Sequence, residues 1–257
     1  MLIAVDVGNT HIVIGAVDGD HILTVARLRT DIHKTEYEYA VLFKQHLDFA
    51  GVKYADCTDS IISSVVPPLT HTLARAIWRI TGMESMIIGS GIKTGLNILI
   101  DNPAQLGGDL VTGAVAALEL VKPPIIIIDM GTATKLSVVD AKANYIGCSI
   151  YPGVNLSLTA LSRGTSQLPY ISLEAPKSCI GKNSVDSMKS GIVFGSAAML
   201  DGMIDRIEEE LGSSASVVAT GGIAPSIVPY CRHSILLRED LLLKGLSVIY
   251  ARNRKKK

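Results

Sequence analysis

Neither sign of charge is in excess in this 257-residue chain: 24 Lys and Arg balance 24 Asp and Glu. A neutral chain offers no broad basic field for a phosphate backbone, and no basic segment is interleaved with aromatics. No nucleic-acid partner and no acidic tail are therefore expected. The one charged cluster, Arg252–Lys257, reads as a solvated end. Cysteine is scarce and scattered: Cys57, Cys148, Cys179 and Cys231 form no CxxC pair. That excludes a disulfide framework or a cysteine-bound zinc site, and implies reduced thiols and a cytoplasmic chain. No apolar run approaches the roughly 20 residues of a bilayer span. Met1 leads directly into a strand pattern, so neither a membrane segment nor a targeting peptide is expected.

What the chain has in quantity is apolar residue, 48% of the total, ample for a core spread over two compact lobes. It also has a repeated local pattern. Ile3-Ala4-Val5-Asp6-Val7-Gly8-Asn9-Thr10 ends one apolar run, and Ile127-Ile128-Asp129-Met130-Gly131-Thr132-Ala133-Thr134 ends another at mid-chain. Each run is short, β-branched and stopped by glycine, as a buried strand entering a tight turn requires. Alternation resumes over His11–Val17 and Lys135–Val139, so each turn is predicted to join two antiparallel strands.

Such a turn gathers amides, hydroxyls and a carboxylate around a small space. Glycine lets a ligand approach the backbone, and consecutive amides cradle anionic oxygens. Asn9, Thr10, Thr132 and Thr134 add hydroxyl and amide groups to that space. A carboxylate beside phosphates repels them unless a hydrated Mg²⁺ lies between, so Asp6 implies a metal. Asp, Gly and Asn are also common in hairpins for backbone reasons alone, and either copy by itself reads better as an ordinary turn. Two copies, each opening a lobe of similar size, favour the phosphate site.

The first lobe reads as strands Leu2–Val7, Ile12–Val17 and His21–Leu28, a helix over Thr35–Ala50, a strand over Ser60–Val66, a helix over Leu69–Thr81 opened by Pro67 and Pro68, and a strand over Met86–Ile88. The second repeats the order with strands Ile125–Asp129, Ala133–Val139 and Asn144–Ile150, helices over Val154–Ser162 and Val185–Leu211, and a strand over Ser216–Ala219. This βββαβαβ duplication predicts an α/β chain of two lobes, residues 1–118 and 119–257, with an apolar helix from Val111 to Val121 reaching between them. Thr220-Gly221-Gly222-Ile223-Ala224-Pro225 follows the last strand. It is either a glycine-rich strand-to-helix turn or a place where a flat base or ribose passes close to the backbone.

The order of these motifs resembles the actin-like ATPase and sugar-kinase class: two ribonuclease H-like lobes with a nucleotide in the cleft between them, the two turns on its phosphates and Gly221-Gly222 on its adenosine. Within that class, Asp6–Thr10, Asp101-Asn102-Pro103, Leu106-Gly107-Gly108-Asp109, Asp129–Thr134, Ile150-Tyr151-Pro152-Gly153, Leu161-Ser162-Arg163-Gly164-Thr165 and Ile180-Gly181-Lys182-Asn183-Ser184 together resemble the type III pantothenate kinases over essentially the whole chain. The resemblance implies transfer of the γ-phosphate of ATP to the primary hydroxyl of pantothenate, the first step towards coenzyme A. It implies Asp109 as the general base, since an alcohol is a weak nucleophile near neutrality. By residue type alone, Asp109 reads first as a carboxylate satisfied by a helix N-terminus, and only the resemblance makes it the base; Asp101 reads as a residue capping or folding the Asn-Pro turn.

By the same resemblance Asp6 holds Mg²⁺ through water, and Asp6, Val7, Gly8, Asn9, Thr10, Gly131 and Thr132 contact phosphates. Asp129 binds a monovalent cation, K⁺ or NH₄⁺. Gly107, Gly108, Asp109 and Ser184 contact pantothenate. A homodimer is implied, with the substrate pocket at the subunit interface, and residues 192–207 carry apolar side chains on more than one helical face. Two positions depart from the family pattern: Leu110 stands where many members have Arg, and Ser184 where many have Thr. A kinase for another small hydroxylated acid or sugar, or a non-catalytic transcription accessory protein of the same fold, are the rival readings.

Overall fold

The computed structural model describes residues 1–254, and the tail of the expected solvated end, 255–257, lies outside them. The described chain forms two compact units. One comprises residues 1–96 and 101–119 together with the chain from Asp240; the other comprises Asn97–Ile100 and Leu120–Glu239.

The first unit is built on a five-stranded sheet of order β3-β2-β1-β4-β5. Its strands are β1 (Leu2–Val7), β2 (His11–Asp18), β3 (His21–Arg29), β4 (Asp59–Ser64) and β5 (Met86–Ile87). β1 lies between antiparallel β2 and parallel β4, which is why all six of its residues are buried and it reads as an apolar run interrupted only by Asp6. Helix α1 (Glu36–Phe49) starts at a capping box in which Thr35 and Glu38 satisfy one another's backbone amides. Helix α2 (Pro67–Thr81) has proline in its first turn and ends at Gly82 in the left-handed conformation. Both pack on the face carrying Ile3, Val5, Val7 and Ile62, with Tyr39, Phe43, Leu47, Leu73 and Ile77 filling the layer.

Helix α3 (Gly108–Leu120) and the C-terminal helix α7 (Leu241–Asn253) also belong to this unit. α7 packs against β1, and a side chain on Gly15 would collide with Leu243. Gly245 lets α7 lie directly on the Thr112 carbonyl of α3. The helix is pinned at its end: Arg252 pairs with Glu119 at 2.9 Å and donates to the Thr94 carbonyl, while the Asn253 amide bridges to Lys93. Two expectations are thus corrected. Residues 240–254 complete the first unit rather than the second, and Arg252 is an anchor rather than part of a solvated end.

The second unit holds a six-stranded sheet of order β11-β10-β7-β8-β9-β6. Its strands are β6 (Asn97–Ile98), β7 (Ile125–Met130), β8 (Ala133–Val139), β9 (Asn144–Pro152), β10 (Ser216–Thr220) and β11 (Leu236–Leu237). β7 repeats the placement of β1, antiparallel to the next strand and parallel to a later one, β10. Helices α4 (Val154–Arg163), α5 (Ser184–Leu211) and the single turn α6 (Ala224–Ile227) accompany it. α5 is capped by the Asn183 side chain and closed by left-handed Gly212. Its Val193, Ala197, Leu200 and Ile204 form the inward stripe against Ile126, Ile128 and Met130. Phe194, Met199 and Met203 pack partly on the same core, so the apolar surplus on this helix is in part absorbed within the unit.

Candidate active site

In the first unit the β1–β2 turn closes through the Gly8 amide, which donates to the His11 carbonyl at 2.9 Å. The end of β3 clamps it: Thr30 donates its hydroxyl to the Gly8 carbonyl at 2.7 Å and its amide to the Thr10 carbonyl at 2.9 Å. Asn9 and Thr10 are left exposed at the tip. One strand position inward of Val7, Asp6 is only 7% exposed, opposite Val13 on β2 and Ser63 on β4. Because directly opposed strand residues share a face, Asp6 and Ser63 both point away from the α1–α2 layer. The hydroxyl of Ser63 is fully buried and has no hydrogen-bond partner among the described residues.

That hydroxyl lies against the start of α3. A methyl group on Gly108 would come within 3.1 Å of Ser63 Oγ, and one on Gly107 within 2.5 Å of an Asp109 carboxylate oxygen. Two successive glycines thus let the helix start settle onto the end of β4 and let the Asp109 carboxylate fold back over Gly107. Asp109 stands half-buried in the first turn of α3, at the positive end of the helix dipole. The first unit therefore brings together Asp6, Val7, Gly8, Asn9 and Thr10 on one turn, and Gly107, Gly108 and Asp109 on one helix start. Ser63 lies between the two groups. Sequence reasoning did not single it out: β4 carries serine at 60, 63 and 64, and the sequence does not distinguish Ser63 from the other two.

In the second unit three motifs meet at one turn. The Gly131 amide donates to the Ala133 carbonyl at 3.1 Å, and the Gly153 amide to the Thr132 carbonyl at 3.1 Å. A methyl group on Gly153 would reach 2.5 Å from the Gly131 carbonyl oxygen. Gly221 has a φ of +96°, and a methyl there would reach 2.5 Å from the Met130 carbonyl oxygen. Gly131, Thr132, Gly221 and Gly222 are thus held beside one another by main-chain contacts that only glycine permits at 153 and 221. Thr134 is buried to 1% exposure in β8, so of the two threonine hydroxyls only that of Thr132 stands at the exposed turn.

Asp129 faces Lys135 across the β7–β8 hairpin, with Lys135 Nζ donating to a carboxylate oxygen at 2.9 Å. Ser184, the first residue of α5, is exposed on the rim of an open groove of about 740 Å³ between α4 and the start of α5. The groove is lined by Leu161, Leu168, Gly181, Lys182, Asn183 and Ser187, among others.

Among the described residues no group of three or more His, Cys, Asp or Glu is placed to hold an ion. A protein cage is therefore absent, whereas one carboxylate beside turn amides fits Mg²⁺, which keeps several waters and is carried largely by substrate phosphates. No helix among the described residues is long and apolar enough to cross a membrane.

The two sheets, each with a hairpin turn at the same strand position, define the actin-like ATPase and sugar-kinase fold. Component A of (R)-2-hydroxyglutaryl-CoA dehydratase from Acidaminococcus fermentans shares that architecture, with a TM-score of 0.55 at 16% identity over 97% of this chain and 96% of that one. Residues 2–206 match the family model for type III pantothenate kinase. The chain is 41% identical to the type III pantothenate kinase of Anaeromyxobacter sp. strain K, over 99% of this chain and all of the relative, and 40% identical to that of Halalkalibacterium halodurans over 98% of this chain and all of the relative. It belongs to the type III pantothenate kinase family, and is an ATP-dependent kinase of coenzyme A biosynthesis.

Proposed function

We propose that the chain transfers the γ-phosphate of ATP to pantothenate with Asp109 as the base that takes the proton of the attacking primary hydroxyl. The observation that carries this reading is the juxtaposition within one unit of a buried carboxylate, Asp6, at a phosphate-type turn, and a second carboxylate, Asp109, on the helix start packed beside it through Ser63. Two acids at adjacent but distinct places suit two tasks: one holds a hydrated cation, the other stands ready for a proton. Mg²⁺, when bound with ATP, would offset charge on the transferring phosphoryl group, and Asp6 is the residue to hold its waters.

The amides and side chains of Val7, Gly8, Asn9 and Thr10 then orient phosphates from the first turn, and Gly131 and Thr132 from the second. Gly221 and Gly222 take the adenosine, supported by their packing on Met130, the residue before Gly131. Gly107 and Gly108 present backbone to pantothenate beside Asp109. Leu110, half-buried in the first turn of α3, supplies no charged contact there, so affinity for the pantothenate carboxylate rests on other groups.

The assembly we infer is a homodimer whose partner covers the groove at Ser184. Support comes from the large apolar side chains exposed near it: Ile180 at 79%, Tyr170 at 76% and Val185 at 40%. A twofold pair would bury such a patch. The site of action is cytoplasmic. ADP release with ATP, Mg²⁺ and pantothenate tests the activity directly; turnover with another hydroxylated acid and none with pantothenate would refute the substrate assignment. Sedimentation velocity tests the dimer, and a monomer at micromolar concentration would exclude it.

A further inference from the structure

The second phosphate turn carries a cation of its own. Asp129 and Lys135 are direct cross-strand partners, which puts their side chains on one face of the sheet within contact range. Their side chains are only 18% and 17% exposed, and the ammonium reaches the carboxylate at 2.9 Å. This is a pair in which water screens little and both members are held by strand register rather than by flexible loops. The carboxylate stands two residues before Gly131, at the turn read above as a phosphate contact.

A carboxylate in that place needs a positive partner before a polyanion can approach. A monovalent ion from solution is the expected partner, yet a K⁺ or NH₄⁺ on the same carboxylate would sit beside the Lys135 ammonium and be repelled by it. An ammonium on a side chain has the charge and the N–H donors of NH₄⁺ itself, without the cost of capturing a free ion. We propose that Lys135 is a tethered replacement for the monovalent cation at Asp129, so that nucleotide binding and turnover in this chain need no added K⁺ or NH₄⁺. Lys135 is in this sense a positioning residue: it neutralises Asp129 and leaves the turn receptive to phosphate. The inference rests on the kinase reading above.

The test compares the unaltered protein with Lys135→Ala and Lys135→Met, the latter keeping the apolar stem should alanine fail to fold. ADP release is followed at fixed Mg²⁺ and fixed ionic strength, with choline chloride exchanged for KCl or NH₄Cl. The unaltered protein is expected to turn over equally in all three salts. The variants should lose about tenfold or more in choline, the scale of one charge-assisted contact, and regain it in NH₄Cl or KCl, a rescue that a merely structural lysine would not give. Melting curves without substrate supply an independent readout: KCl should raise the melting temperature of the variants relative to choline, and not that of the unaltered protein. Dependence of the unaltered protein on K⁺, or an equal K⁺-induced rise in its melting temperature, would overturn the proposal. Absence of pantothenate-dependent turnover in every salt would overturn the kinase reading instead, and the melting curves would still decide for or against Lys135.

Discussion

The two hairpin turns share a backbone plan and differ in charge. In each, a central strand ends in a carboxylate two residues before a glycine, runs antiparallel to the next strand, and has a hydroxyl residue beside the carboxylate on the parallel neighbour: Ser63 beside Asp6, Thr220 beside Asp129. Across the hairpin, however, Asp6 meets Val13 and Asp129 meets Lys135. The register partner of one carboxylate is an apolar valine, and that of the other is a lysine whose ammonium reaches it at 2.9 Å. The duplicated fold thus keeps the strand geometry in both halves, and the proposed division of tasks, a hydrated Mg²⁺ at Asp6 and a lysine-balanced carboxylate at Asp129, rests on this difference.

The sharpest break in that comparison comes from the acid outside both turns. Asp109→Asn should cut turnover by about 10²–10⁴-fold, the range for a lost general base, while calorimetry shows ATP binding intact; near-normal turnover would move the base elsewhere. Asp6→Asn should cost about 10²-fold or more, comparable to losing one electrostatic contact at the transferring group. The loss should appear with a raised Mg²⁺ requirement and no new response to K⁺. A K⁺ response there would mean that the two turns do not divide the cations as argued.

Gly153→Ala tests the packing of the second turn. Its methyl would overlap the Gly131 and Thr132 carbonyls, so a destabilisation of about 1–3 kcal/mol is expected. In a chain of this size each kcal/mol lowers the melting temperature by about 2–4 °C, and affinity for ATP should fall with it. Gly195→Ala on α5, where nothing lies within 4 Å of the added methyl, is the matched control and should be neutral or slightly stabilising. The smallest effect is at Ser63→Ala. Because its hydroxyl is buried without a partner among the described residues, stability should move by no more than about 1 kcal/mol in either direction; a large loss would show that the hydroxyl has an essential partner in the folded protein.

Much of this architecture was legible because strong local signals coincide with it. β1 and β7 are short β-branched runs stopped at glycine, α1 opens at a Thr-x-x-Glu box, and α2 opens on two prolines. The two-residue strands β5, β6 and β11 offer almost no periodicity, and of these only β5 was foreseen. α7 was missed for a different reason. Contiguous reading assigns a chain end to the lobe that precedes it, whereas this helix returns to the first unit, and only the fit of Gly245 on Thr112 reveals where it belongs. At the candidate site the glycines and acids stood out as residue types. Lys135 and Ser63 did not, since their significance lies in strand register: a lysine six positions after an aspartate means little until the hairpin makes them neighbours.

The return of α7 has a consequence for biosynthesis. Strand β1 leaves the ribosome more than 200 residues ahead of the helix that packs on it, roughly ten seconds or more at ordinary rates of synthesis. The first unit therefore stays unfinished until α7 has been made, while the contiguous stretch Leu120–Glu239 has nearly all of its own sheet and helices available earlier. Although later in sequence than β1, that stretch is equipped to fold before the first sheet is fully covered, and that sheet waits for α7.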